Sequence, residues 1–132
     1  MNNQNRMTTT LLIAAGGAIG AVLRYLTGLV VVRTFRSSRL ITGTVVVNIL
    51  GCFLAGLLLG WFSHSVHVAA FQIFFMTGVM SSYTTFSTFA LEALVLIKHS
   101  IRSVLAYLVL QIIAGTGAAA FGFQCMEWWT AL

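Results

Sequence analysis

Charge is scarce in this 132-residue chain: only 7% of its residues are charged, and aspartate does not occur. A water-soluble domain carries roughly 25% charged residues to cover its surface, so that class is excluded. Carboxylates are scarcer still, with Glu92 and Glu127 set against seven lysines and arginines for a net charge of +5. An interior so poor in acidic groups favours an anion over a cation, although basic loop residues also anchor a chain to anionic lipid and set its orientation. Cysteine is limited to Cys52 and Cys125, far apart in apolar stretches. Their spacing matches no disulfide framework or metal site, and both read as small packing residues. His64 and His67 share a loop with no nucleophile or metal set nearby, which argues against an intramembrane enzyme.

Apolar surface is what the chain has in excess: 59% of residues are hydrophobic and the mean hydropathy is +0.98. A bilayer core is about 30 Å thick and takes about 20 apolar residues in a helix to cross. The length therefore accommodates one all-α transmembrane domain of four spans, predicted over about 10–32, 40–62, 68–97 and 103–126. Residues 1–9 are polar and expected to fray. The first apolar run exceeds the h-region of a cleaved signal peptide and is read as a retained span. Trp61, Trp128 and Trp129 fall near span ends, where amphipathic rings prefer the headgroup layer. The lipid bilayer is thus the expected surrounding, and no nucleic acid partner is expected.

Arg33, Arg36, Arg39, Lys98 and Arg102 flank one side of the spans, with Arg6 on the other. The positive-inside rule places both basic loops in the cytoplasm and both termini outside. Small residues recur four apart at Gly16 and Gly20, Gly51 and Ala55, Gly56 and Gly60, and Ala118 and Gly122. Such spacing lets backbones approach closely in lipid. Small faces on several sides, and the little space four helices enclose, suggest a dimer.

The third span is interrupted in composition. Its centre, Gly78 through Phe89, is dominated by glycine and hydroxyl residues. Serine and threonine can bond local backbone groups in place of the helix ladder. A break at membrane depth is tolerated where protein or a wet cavity satisfies the opened backbone, and such breaks recur at ion sites. The other reading is a continuous helix whose hydroxyls bond back to it or mediate packing.

Candidate functional residues lie on all four spans. Arg24 sits within the first, where a charge either snorkels to the basic side or faces an aqueous vestibule and draws anions in. Thr44 and Asn48 share a face of the second. The Asn48 amide offers two N–H donors to an anion, or else a helix–helix hydrogen bond. Phe86 and Phe89 project from one side of the third, as lipid contacts or as rings whose positive edges meet a small anion. Thr85, Thr88 and Glu92 are spaced as one polar stripe, and Tyr107, Gln111 and Gly115 repeat every four residues on the fourth span.

These segments resemble the Fluc (CrcB) fluoride channel family: Gly16-Gly17-Ala18-Ile19-Gly20-Ala21-Val22-Leu23-Arg24, Gly43-Thr44-Val45-Val46-Val47-Asn48, and Gly78 through Glu92 with its Thr84-Thr85-Phe86-Ser87-Thr88-Phe89 core. The resemblance implies an antiparallel, dual-topology dimer with two narrow pores that passes fluoride out of the bacterial cytoplasm across the inner membrane and confers fluoride resistance. It implies a pore lined by Asn48, Phe86, Phe89, Thr85, Thr88, Tyr107, Thr44 and Glu92, with Arg24 at the vestibule. It also implies a structural sodium ion (Na+) at the dimer interface, held by backbone carbonyls at Ser81 and Thr84. Two departures stand out: Ser81-Ser82 replaces a usual Gly-Gly, and Gln111 replaces a small hydroxyl residue. The five-to-one split of basic residues leaves two partners open, an inverted second copy in a homodimer or an oppositely oriented paralogue in a heterodimer. A small multidrug-type exporter is the competing class. It needs a membrane-embedded carboxylate at its substrate site, and Glu92 near a span end and Glu127 at an interface fit that poorly.

Overall fold

The computed structural model describes residues 2–34, 40–65 and 69–132. Arg36, Arg39 and His67 lie outside the described residues. Four helical passages are long and apolar enough to cross a membrane: Asn3–Thr34, Gly43–Ser63, Ala69–Ile97 and Ile101–Thr130. The chain is a multi-pass membrane protein. Many large apolar side chains, such as Val30, Leu94 and Ile113, lie on the outside of the protomer, which an apolar solvent tolerates and water does not.

Helix α1 spans Asn3–Thr34. The polar N-terminus does not fray as expected. Once the apolar part of a helix exists, each added residue gains a bond at little nucleation cost. Thr8 and Thr10 donate back to the carbonyls of Gln4 and Arg6 at 3.0 Å, so the helix extends into the polar layer. Helix α2 spans Gly43–Ser63 and starts where Thr42, in extended conformation, caps it by accepting from the Val45 N–H at 3.3 Å. Helix α6 spans Ile101–Thr130 and carries Glu127, Trp128 and Trp129 past the predicted end at Met126.

The third passage is built from short pieces. Helix α3 (Ala69–Gln72) leads into a wide π-helical stretch (Ile73–Met80), then α4 (Ser81–Tyr83), and then α5 (Phe86–Ile97). Between α4 and α5 the backbone is extended at Thr84 (φ −77°, ψ 160°) and Thr85 (φ −147°, ψ 122°). Both φ values are negative, and Ser81 is helical at φ −63°, so the step is unstrained and does not require glycine there.

Packing inside the chain consumes the small-residue faces. A Cβ on Gly20 would run into the Val79 carbonyl and the Tyr83 amide, so α1 lies directly on the backbone of the third passage. A Cβ on Gly56 would meet the Ala119 carbonyl, and one on Gly122 the Phe53 carbonyl, which holds α2 against α6 at equally short range. These faces therefore serve contacts within one protomer and carry no argument for a dimer. The core is small: Val45, Leu96, Val104 and Tyr107, with Phe89 and Leu110 packed against it.

Candidate functional site

Asn48 on α2 faces the step in the third passage. Its Nδ2 donates to the Thr85 carbonyl at 3.1 Å, and its Oδ1 accepts from the Thr85 N–H at 2.9 Å. The side-chain amide thus does for Thr85 what a neighbouring peptide group does in a ladder, satisfying donor and acceptor at a residue that has left the helix. One of the two Asn48 N–H groups is committed to this task.

The step removes helix partners from the four carbonyls before it, those of Ser81, Ser82, Tyr83 and Thr84. In an unbroken helix the Thr85 N–H would donate to the Ser81 carbonyl, and the Thr88 N–H to that of Thr84. Here the first goes to Asn48 Oδ1, and the second to Thr85 Oγ1 at 3.3 Å. Ser81 and Thr84 thereby lose the amide partners that helix continuity would supply. Among the described residues no cluster of three His, Cys, Asp or Glu side chains exists.

A turn and a half into α5, Glu92 collects three hydroxyls. Thr44 Oγ1 donates to its Oε1, while Thr42 Oγ1 and the Tyr107 hydroxyl donate to its Oε2, all at 2.7 Å. Tyr107 is fully buried, and its ring stacks on Phe89 with centroids 5.5 Å apart and planes 19° from parallel. Phe89 in turn lies 5.6 Å from the Phe86 ring.

Three clefts run past these groups. One of about 370 Å³ is lined by Asn48, Thr85, Phe86, Phe89 and Gln111. The next, about 420 Å³, is lined by Arg24, Thr44, Thr85, Thr88 and Glu92. A third of about 560 Å³ begins at Thr88 and Glu92 and reaches His99. Thr85 faces the first two, and Thr88 and Glu92 face the last two, so the polar residues form one continuous series. Among the described residues Arg24 makes no ion pair, and it lines the second cleft.

The structure brings together Thr44, Glu92 and Tyr107, joins Asn48 to Thr85, and aligns Phe86, Phe89 and Tyr107 ring to ring. Thr85 is not the first residue of a helical stripe with Thr88 and Glu92. It is the extended cap of α5, donating to Thr88 Oγ1 at 3.1 Å. Thr42 belongs to the site and is missed by sequence reasoning. The available signal is its place just before Gly43 and the apolar run, a helix-capping position whose hydroxyl is held near α2's first turn.

The family model described as "CrcB-like protein, Camphor Resistance (CrcB)" matches residues 11–123. A protein of Azobacteroides pseudotrichonymphae genomovar. CFP2 named "Fluoride-specific ion channel FluC" is 38% identical over 123 residues, covering 88% of this chain and 94% of its own. A protein of the same name from Rhizobium meliloti (strain 1021) is 42% identical over 105 residues, 78% of this chain and 83% of that one. One from Shewanella pealeana is 38% identical over 115 residues, 87% and 90% of the two chains.

Proposed function

The chain belongs to the CrcB-like family, and from that membership we propose that it is a fluoride-specific ion channel that exports fluoride and so confers fluoride resistance. The observation that carries the reading onto this chain's own residues is the cleft at the helix step, where the Asn48 amide, Thr85 and the two phenylalanines converge. Dehydrating a small anion costs much free energy, and replacement ligands must be N–H or O–H donors and positive ring edges. Those are the groups gathered here, and no charged side chain lines the cleft to trap the ion.

In this reading Arg24 concentrates anions in the wider cleft, Thr44, Thr88, Tyr107 and Glu92 border the path beyond it, and Phe86 and Phe89 exclude bulk water. Two copies assemble antiparallel in the bacterial inner membrane. A sodium ion would be held by the Ser81 and Thr84 carbonyls where the copies meet, supplying a fixed positive charge that neutralises opened backbone dipoles. The release of both carbonyls from helix bonding supports that assignment. A heterodimer with an oppositely oriented paralogue is the alternative partner.

The test is fluoride efflux from proteoliposomes holding only this polypeptide, read with a fluoride electrode, with uptake of a drug cation measured in parallel. Fluoride efflux without cation uptake is expected. Vesicles that stay impermeable to fluoride would sink the homodimeric channel, and cation uptake would favour an exporter.

A further inference from the structure

Tyr83 is the last residue of α4, immediately before the extended pair Thr84 and Thr85, and it is buried at 5% exposure. Its hydroxyl lies 3.2 Å from Thr27 Oγ1 on α1, and Thr27 gives its own hydroxyl proton to the Leu23 carbonyl at 2.9 Å. A threonine hydroxyl has a single proton, so Tyr83 is the donor. A short chain of bonds thus runs from the tyrosine through Thr27 to the α1 backbone. The ring is held separately, against α2: a Cβ on Gly51 would lie 3.3 Å from Tyr83 Cδ1 and would run into the Thr84 methyl.

The step is therefore anchored from two sides. Asn48 and Gly51 on α2 hold Thr85 and Thr84, and Thr27 on α1 holds Tyr83. These anchors do what the helix ladder does elsewhere, since the carbonyls from Ser81 to Thr84 have lost their helix partners. Thr27 stands three residues beyond Arg24, so one stretch of α1 carries both the anchor and the guanidinium. Thr85 lines both the Arg24 cleft and the Asn48 cleft, whereas Tyr83 lines neither. We infer that Tyr83 is a positioning residue: its bond to Thr27 fixes the step against α1 and so keeps the two clefts in register where they meet at Thr85. The inference rests on the fluoride-channel reading for its effect on flux, and on the hydrogen bond alone for its effect on the step.

Three variants test it in the full-length protein. Tyr83→Phe keeps the ring and removes the donor, Thr27→Val removes the acceptor and keeps the branched shape, and Thr27→Ser keeps the acceptor. Amide hydrogen exchange at Thr84 and Thr85 is compared with exchange in α6 in detergent micelles, and fluoride efflux is measured from vesicles. In Tyr83→Phe and Thr27→Val, exchange at Thr84 and Thr85 is expected to quicken about threefold to tenfold, the factor of one typical hydrogen bond, with α6 unchanged. Efflux is expected to fall by at least about threefold in both, no further in the double variant, and not in Thr27→Ser. A merely structural role would quicken α6 exchange by the same factor. That outcome, unchanged exchange at Thr84 and Thr85, a Ser variant as impaired as the Val variant, or a smaller fall in efflux from a conducting parent overturns the inference. If Tyr83→Phe does not fold, Thr27→Val and Thr27→Ser decide it by the same readouts. If the parent fails to conduct while exchange at Thr84 and Thr85 still quickens selectively, the channel reading falls and the anchoring of the step stands.

Discussion

Asn48 and Thr85 hold each other through two hydrogen bonds across 37 positions of sequence, the side-chain amide of one closing on the backbone N–H and carbonyl of the other at 2.9 and 3.1 Å. This pairing satisfies both peptide groups of Thr85, whose backbone is extended between two helical segments. It also couples α2 to the cap of α5. Replacing Asn48 by Asp keeps the acceptor but sets a carboxylate oxygen against the Thr85 carbonyl. Fluoride efflux is expected to fall, and amide hydrogen exchange at Thr85 to Thr88 to speed up. Unchanged exchange there would show that the pairing does not hold the step.

Phe86 presents a different balance. It is 79% exposed in the protomer, so little of its surface contributes to the fold of one chain. Phe86→Ile is expected to change protomer stability by less than about 0.5 kcal/mol, as for surface positions generally. Fluoride efflux is nevertheless expected to drop, because the ring edge is lost. Parallel melting and efflux measurements check this, and normal efflux would remove Phe86 from the pore.

The Glu92 cluster ties α2, α5 and α6 together. Tyr107→Phe deletes one of three 2.7 Å bonds to the Glu92 side chain and should cost about 0.5–1.5 kcal/mol, the range for a typical hydrogen bond. Glu92→Ala strands the fully buried Tyr107 hydroxyl and should be at least as costly, whereas Glu92→Gln keeps an acceptor and should cost less. Thermal denaturation in detergent ranks the three. Equal melting temperatures for the Ala and Gln variants would contradict a hydrogen-bonding role.

Close helix contact makes some glycines irreplaceable and others not. Gly20→Ala would drive its methyl into the Val79 carbonyl and the Tyr83 amide, both backbone groups that cannot swing aside. A loss of about 1–3 kcal/mol is expected, as for other overpacked sites. Gly117 has nothing within 4 Å of a built Cβ, and alanine there should leave protomer stability unchanged or raise it by up to about 1 kcal/mol through helix propensity. The contrast is read by denaturation of the two variants side by side.

At the opposite end of α2, His64 Nε2 and Glu127 Oε1 are 2.8 Å apart, and Ser63 Oγ donates to the same oxygen at 3.0 Å. The side chains are 47% and 35% exposed, so solvent screens the pair and it contributes little to stability. Glu127→Gln is accordingly expected to shift the melting temperature little and to leave fluoride efflux unaltered. A large loss of either would show that this contact matters to the pore.

Composition determined the solvent, the number of passages and the helical class, because 20 consecutive apolar residues in lipid have few options but to form a helix. The serine- and threonine-rich stretch from Ser81 to Thr88 contains the two extended residues, Thr84 and Thr85, and such side chains compete for backbone bonds within a few residues. Helix rotation and register decided the rest. Glu92 meets Thr42 and Thr44 some fifty positions away, Asn48 meets Thr85, and Gly20 meets Val79 only because whole helices settle face to face. The spacing of Thr85, Thr88 and Glu92 suggested one helical stripe, yet the tertiary bond from Asn48 draws Thr85 out of the helix and turns it into a cap. Energies of that kind depend on which groups are brought within 3 Å of each other. Periodicity along a single chain does not contain that information.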